Sequence, residues 1–268
     1  MDKCALCGYE KELRKSHYLP KAIHRICGSD PENPGSSVLI KDRRAVILPR
    51  QAFKPFLCGD CECRLSAMGE NEVMGNCIRR DGTFPLRDQV IKAIQNGSIK
   101  SEGFSLKNVI GSAAEAYVYF AVSMFWKAAE TEWDISGSVL EQIQLGSALQ
   151  EGVRQWLIGS SHFPTDIVLG MSIFKDSDLK PLALFPVRVY EHAFAMYRFV
   201  VPGIQFALFT EKAITLNLSA FRKSLPSDLP VHMVNFAQSG SRQAALQSVS
   251  DSSAKGKLKD ITSSSRTN

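Results

Sequence analysis

The sequence predicts an α+β fold: a small metal-bound module at the N-terminus, followed by helices packed on a C-terminal antiparallel β-sheet. Three observations carry the prediction. All seven cysteines lie before residue 78, four of them as two Cys-x-x-Cys pairs. From Pro85 to Leu157 the apolar residues recur at helical spacing. Beyond Pro164 the period shortens toward two, as it does in strands with one buried face.

The chain has 268 residues, 44% of them hydrophobic and 22% charged, which allows a buried core of ordinary size. Its first residues, MDKCALCGYE, contain no apolar leader, so a cytoplasmic location is expected. In a reducing compartment, paired cysteines point to metal ligation rather than to disulfides. The net charge of +5 permits nucleic-acid contact without arguing for it.

The module should occupy residues 1–78. Zinc takes four sulfur or nitrogen ligands in a tetrahedron, and each Cys-x-x-Cys turn offers two thiolates on one side of the ion. Cys4, Cys7, Cys58 and Cys61 are therefore the expected ligands of one structural Zn²⁺, with Gly8 and Gly59 supplying backbone freedom. Cys63 could replace Cys61, although the knuckle spacing favours Cys61. Cys27 and Cys77 have no partner at ligand spacing and are expected in the core. Between the pairs, Ser37-Val-Leu-Ile and Ala45-Val-Ile-Leu read as a hairpin with Lys41, Arg43 and Arg44 at its tip.

Residues 79–236 should form a helical and β domain. Leu86, Val90, Ile91 and Ile94 mark one face of a helix opened by Pro85 and stopped at Asn96-Gly97. Longer helices are predicted over 106–131 and 138–157, with Trp126, Trp133 and Trp156 in the core between them. The apolar run from Ala113 to Ala129 is near the lower length limit for a membrane span and carries Glu115 and Lys127, so it is read as a core helix and no membrane partner is expected. Strands are predicted at 166–174, 182–190, 194–201, 205–210 and 213–218. Residues 237–268, rich in Ser and Lys, cannot offset the entropy of ordering and should form a disordered tail.

Three elements carry a resemblance: Ser16-His17-Tyr-Leu-Pro20 after the first knuckle, the predicted hairpin, and Cys58-Gly-Asp-Cys61-Glu62 opening a helix. Together they resemble the HNH nucleases, whose ββα-metal site is built on a treble-clef zinc fold. The likeness covers residues 1 to about 75. It is similar in particular to a divergent, uncharacterised microbial sub-group with SHxxP and CxxCE elements. The resemblance implies His17 as general base, Glu62 as ligand of a catalytic Mg²⁺ or Mn²⁺, and nucleic acid as substrate, DNA ahead of RNA. The sequence departs from the family at Ser16, where a metal-binding Asp is usual, and at Glu62, where His or Asn is common.

The chemistry can be read beside the resemblance. Phosphodiester hydrolysis by this route needs a base for water and a cation for the leaving oxygen. An imidazole suits the first and a carboxylate the second. On one regular helix Glu62, Ser66 and Glu70 would share a face, with Glu70 some two turns away, too far to clasp the same ion. Asp60 is expected to satisfy backbone N–H groups of its knuckle, and His24 to lie on the surface. Arg14, Lys15, Lys21, Arg25, Lys41, Arg43, Arg44, Arg50 and Lys54 are candidates for phosphate contact. A module that binds nucleic acid or protein without cutting is the alternative, and the role of residues 79–236 is open between partner recognition, a homodimer and regulation.

Overall fold

The computed structural model describes residues 2–28, 37–41, 44–48, 52–135, 138–176, 182–189, 196–210, 226, 228–235 and 253–254. The chain begins with two short paired strands, β1 (Asp2–Lys3) and β2 (Glu10–Lys11), that flank the first Cys-x-x-Cys turn. Strand β3 (Leu13–His17) and helix α1 (Lys21–Cys27) follow. The predicted hairpin is present as β4 (Ser37–Lys41) and β5 (Arg44–Leu48), paired antiparallel. Arg43 and Arg50 lie outside the described residues.

Strand β6 (Phe53–Cys58) does not extend that hairpin but returns to pair antiparallel with β3. Residues 18–52 are thus an excursion between two adjacent strands. The ladder is interrupted: Arg14 pairs with Leu57 and Lys15 with Pro55, leaving Phe56 as an extra residue. Pro55 has no N–H to give, so a bulge forms where the ladder is already weakened. The bulge frees the Phe56 carbonyl to accept from Ala5 N–H at 3.1 Å, which ties the first knuckle to β6.

Cys58 ends β6 and caps α2 (Gly59–Leu65). A π-helical turn over Ser66–Glu70 and α3 (Asn71–Asn76) continue the same helical path. Next come α4 (Pro85–Gln95), β7 (Phe104–Ser105), α5 (Lys107–Ile110), a 3₁₀ turn over Gly111–Ala113 and α6 (Ala114–Glu130). Pro85 sits in the first turn of α4, and Gly97, at φ +76°, follows its end. The predicted helix over 106–131 is therefore broken near Gly111, whose φ of +60° lies outside the right-handed α-helical range.

Segment Lys107–Glu130 is long and apolar enough to cross a membrane by length and composition. Every residue from Tyr117 to Ala129 is nevertheless buried inside the protein. Short strands β8 (Asp134–Ile135) and β9 (Ser138–Val139) come next, then α7 (Ser147–Leu157). The predicted helix over 138–157 begins nine residues late. Gly146, at φ +80°, cannot continue a right-handed helix, and Leu140 N–H is held by the Trp133 carbonyl at 2.8 Å.

The sheet contains β10 (Ile167–Phe174), β11 (Leu184–Val189), β12 (Met196–Val201), β13 (Ile204–Thr210) and β14 (Pro230–Val234). With β7 it has six strands in the order β11-β12-β13-β10-β14-β7. It is not purely antiparallel, because β10 and β14 run parallel. The predicted strand at 213–218 lies outside the described residues. In the tail, Ser253–Ala254 forms β15, paired parallel with Arg44 and Ala45, so those two residues do not fit the expected disorder. The remainder of 237–268 lies outside the described residues.

Phe120 and Phe125 of α6 pack edge-on against Phe199 of the sheet at 5.9 and 5.0 Å. One contiguous hydrophobic cluster runs from Cys4, Leu6 and Tyr18 through α6 to Phe206 and Val231, so the cysteine-bearing segment shares its core with the rest of the chain. Within it Gly69 packs directly against α6, where an added Cβ would lie 2.8 Å from Phe120 N and 2.9 Å from the Ala116 carbonyl oxygen.

Candidate metal centre and the polar cluster beside it

The sulfurs of Cys4, Cys7, Cys58 and Cys61 all lie within 4.8 Å of one another. Cys63 is exposed and outside the group. Cys7 Sγ and Cys58 Sγ are 3.9 Å apart. A tetrahedral ion with Zn–S bonds of about 2.3 Å separates its sulfurs by about 3.8 Å, whereas a disulfide brings them to about 2.05 Å. The four cysteines can therefore hold a metal ion such as zinc.

The backbone is arranged for thiolates. The first knuckle closes through Gly8 N–H donating to Cys4 O and Cys4 N–H donating to Tyr9 O, both at 2.9 Å, with Gly8 at φ +77°. Cys58 N–H donates to Cys4 Sγ at 3.3 Å. Burial pushes the Cys4 thiol up, but N–H groups of Cys58, Cys7 and Leu6 outweigh it and bring the pKa down to about 7. Cys61 is driven well above the usual thiol range, first by burial and then by the sulfurs of Cys58 and Cys4. Ionising all four sulfurs at this spacing therefore requires a cation between them. Gly59 is not left-handed; it is the first residue of α2, and only Gly8 supplies the expected backbone freedom. Asp60 does not serve the knuckle backbone but forms an exposed ion pair with Lys11 at 2.7 Å. Arg154 of α7 donates to the Leu6 carbonyl at 2.6 Å, fastening the knuckle from the other side.

His17 ends β3, and Glu62 occupies the first turn of α2 immediately after Cys61. The elements bring them into one electrostatic neighbourhood. Burial lowers the His17 pKa, opposed by the Glu62 carboxylate and reinforced by Lys21 and Lys127. His17 Nδ1 and Glu62 Oε1 are both buried without a hydrogen-bond partner. His24 is half-buried on α1 rather than fully exposed, and burial, then the charge of His17, lowers its pKa to about 4. Burial raises the Glu70 pKa, with Lys127 lowering it and Glu62 raising it.

Lys127 itself is only 4% exposed, on the innermost helix of the protein. Sequence reasoning gave it no role. The available signal was a lone charge inside an apolar helical run.

Ser16 is committed to the backbone. Its Oγ accepts the Leu57 N–H at 3.0 Å, satisfying a donor that the β6 bulge takes out of the ladder. Lys54 is also committed elsewhere. Its ammonium donates to Thr131 Oγ1 at 2.6 Å and to the Glu132 carbonyl at 3.1 Å, so it ties β6 to the end of α6. Lys15 lies over the Phe53 ring at 5.3 Å, and Arg14 faces Glu12 at 3.6 Å. Lys21 and Arg25 remain exposed beside the cluster on α1. Cys77 is fully buried in the core, whereas Cys27 is half-buried against it, with its thiol pushed up to about 12 by burial.

Among the described residues, only the four cysteines form a group of three or more possible metal ligands at bonding distances. A separate cleft of about 300 Å³ at the β7–β14 edge is lined by Ser105, Asp228 and His232. There His232 Nδ1 pairs with the Glu102 carbonyl at 2.9 Å, which turns the imidazole toward backbone. No family model, curated protein or solved structure matches the chain.

Proposed function

We propose that the chain is a zinc-stabilised, HNH-like nuclease in which His17 is the general base and Glu62 binds a catalytic divalent cation. The observation that carries this reading is the pair of buried, unpartnered atoms, His17 Nδ1 and Glu62 Oε1. Buried polar atoms are nearly always hydrogen-bonded, and each one left unpaired costs about 1–3 kcal/mol. His17 Nδ1 is held at the end of β3 and Glu62 Oε1 in the first turn of α2, and a ligand reaching both would account for the pair.

Each residue suits its role. The lowered pKa of His17 keeps its imidazole neutral at physiological pH, ready to accept a proton from water. Glu62 is fixed by Cys61, so zinc bound by Cys4, Cys7, Cys58 and Cys61 would set the start of α2 and the position of its carboxylate. When bound there, Mg²⁺ or Mn²⁺ would supply a Lewis acid for the leaving oxygen. Lys21 and Arg25, exposed on α1, would meet phosphates of the bound strand, DNA being the expected substrate.

The test is cleavage of supercoiled DNA and of RNA by the zinc-loaded protein with Mg²⁺ or Mn²⁺. His17→Ala should lower the rate by about 10²–10⁴-fold, the usual contribution of a general base, while zinc content and Tm stay unchanged. The alternative is a module that binds nucleic acid or protein without cutting it. The hydrogen-bonded Ser16 favours this alternative, because no carboxylate at that position helps Glu62 hold an ion. Wild-type protein that binds nucleic acid but leaves it intact across metals and pH would establish that second reading.

A further inference from the structure

Lys127 is unusual in its setting. Lysine is almost never fully buried unless paired, yet this side chain is 4% exposed and sits in the last turn of α6. Among the described residues its ammonium has one hydrogen bond, to the His17 carbonyl, at the outer limit of 3.5 Å. No carboxylate of the described residues lies within 4.0 Å of it. An ammonium has three protons to donate, so at least two lack an acceptor among the described residues.

The unmet groups are carried by three elements, linked by the Lys127–His17 carbonyl contact. His17 Nδ1 comes from the end of β3, Glu62 Oε1 from the first turn of α2, and Lys127 from α6. The first two are buried without partners. Glu70, on the π turn, completes the surroundings: Lys127 and Glu62 act on its carboxyl in opposite senses. A purely structural lysine would be expected to close an ion pair with one of these two carboxylates. Instead its ammonium stands apart from both, beside the residue proposed as base.

We propose that Lys127 binds the substrate's phosphate: its ammonium receives a non-bridging phosphate oxygen at the His17–Glu62 site. The proposal rests on the hydrolase reading for the identity of the ligand, but not for the existence of an anion site. It gives α6 a functional task as well as a structural one. It also accounts for the missing second acid, because a fixed cation takes up part of the phosphate charge that a second metal-binding carboxylate would otherwise help an ion to neutralise.

The test uses inorganic phosphate as probe, titrated into the full-length zinc-loaded protein at low ionic strength and followed by calorimetry. The same proteins are assayed for DNA cleavage. Wild type should bind phosphate, Lys127→Met should weaken binding at least tenfold, and Lys127→Arg should stay within about threefold of wild type, since either cation can donate to a phosphate. If Lys127→Met alone does not fold, Lys127→Met combined with Glu70→Gln removes both charges and replaces it. Lys127-dependent phosphate binding without cleavage by wild type would uphold the anion site and defeat the hydrolase reading. His17-dependent cleavage that Lys127→Met leaves unchanged would do the reverse. Wild type that takes up no phosphate at tens of millimolar overturns the proposal whatever the variants do.

Discussion

Two glycines on one helical path respond oppositely to the same substitution. A Cβ on Gly69 would lie 2.8 Å from Phe120 N, 2.9 Å from Ala116 O and 3.0 Å from Phe120 Cα, all backbone atoms of α6. Carbon contacts settle at about 3.5–4.0 Å, so Gly69→Ala must part the π turn from α6 by roughly 0.5–1 Å. Overpacking of this kind costs about 1–3 kcal/mol. Gly75, six residues further along, has nothing within 4 Å of its would-be Cβ. Gly75→Ala should therefore keep only the helix-propensity gain, about 0.5–1 kcal/mol. That gain applies to both variants and cancels in their difference. At about 2–4 °C per kcal/mol for a chain of this size class, a 2 kcal/mol gap separates their Tm values by about 4–8 °C. Thermal melts of both variants, zinc-loaded and read by circular dichroism, measure it. Equal Tm values would refute the close helix crossing, and with it the placement of Glu62 and Glu70 relative to Lys127.

The remaining predictions concern the metal, the bulge and pH. Cys4→Ser or Cys61→Ser should abolish stoichiometric zinc and unfold the N-terminal segment, measured by elemental analysis and tryptic digestion; wild-type protein purified without chelator and free of zinc would contradict this. Ser16→Ala should destabilise by about 1–3 kcal/mol, because it leaves the buried Leu57 N–H without an acceptor; urea unfolding checks it, and no change would mean that water replaces the hydroxyl. His24 has a folded-state pKa lowered to about 4, mainly by burial. A depressed histidine pKa means that the unfolded chain binds the proton first. Folded-state stability is highest above about pH 6.5 and falls as pH drops toward 4, by on the order of 1–2 kcal/mol once solvent screening of the half-buried ring is allowed for. The difference in unfolding free energy between wild type and His24→Gln should therefore change across that window, with the cysteine contribution common to both; a pH-independent difference would show that His24 is solvated.

The parts legible in the sequence were those fixed by local rules. Paired cysteines at knuckle spacing, a proline-initiated helix ended near Asn96-Gly97, and alternating runs for β10 to β13 all depend on neighbours in the chain. What escaped depended on contacts distant in sequence. Strand β14 joins the sheet by pairing parallel with β10, some sixty residues earlier, which no local period announces. The helix over 138–157 was overextended because apolar spacing continued through Gly146, where the backbone turns left-handed. Within the candidate site, His17 and Glu62 are singled out by their motifs, and their catalytic roles rest on the proposal above. Lys127 and His24 are not singled out, because burial of a charged or titratable group is decided by packing between α6, α1 and the knuckle. Ser16 was seen as a departure from a motif, but its hydrogen bond across the bulge depends on Pro55 and Phe56 of the opposite strand.

The most direct measurement is anomalous X-ray scattering from a crystal of the full chain soaked in Mn²⁺, with data collected to distinguish zinc from manganese. The account predicts a zinc peak centred among the sulfurs of Cys4, Cys7, Cys58 and Cys61, and a separate manganese peak against the Glu62 carboxylate on the side facing His17. A zinc peak with no manganese at Glu62 would contradict the catalytic reading and leave a binding module; no zinc among the four sulfurs would contradict the metal centre on which both readings stand.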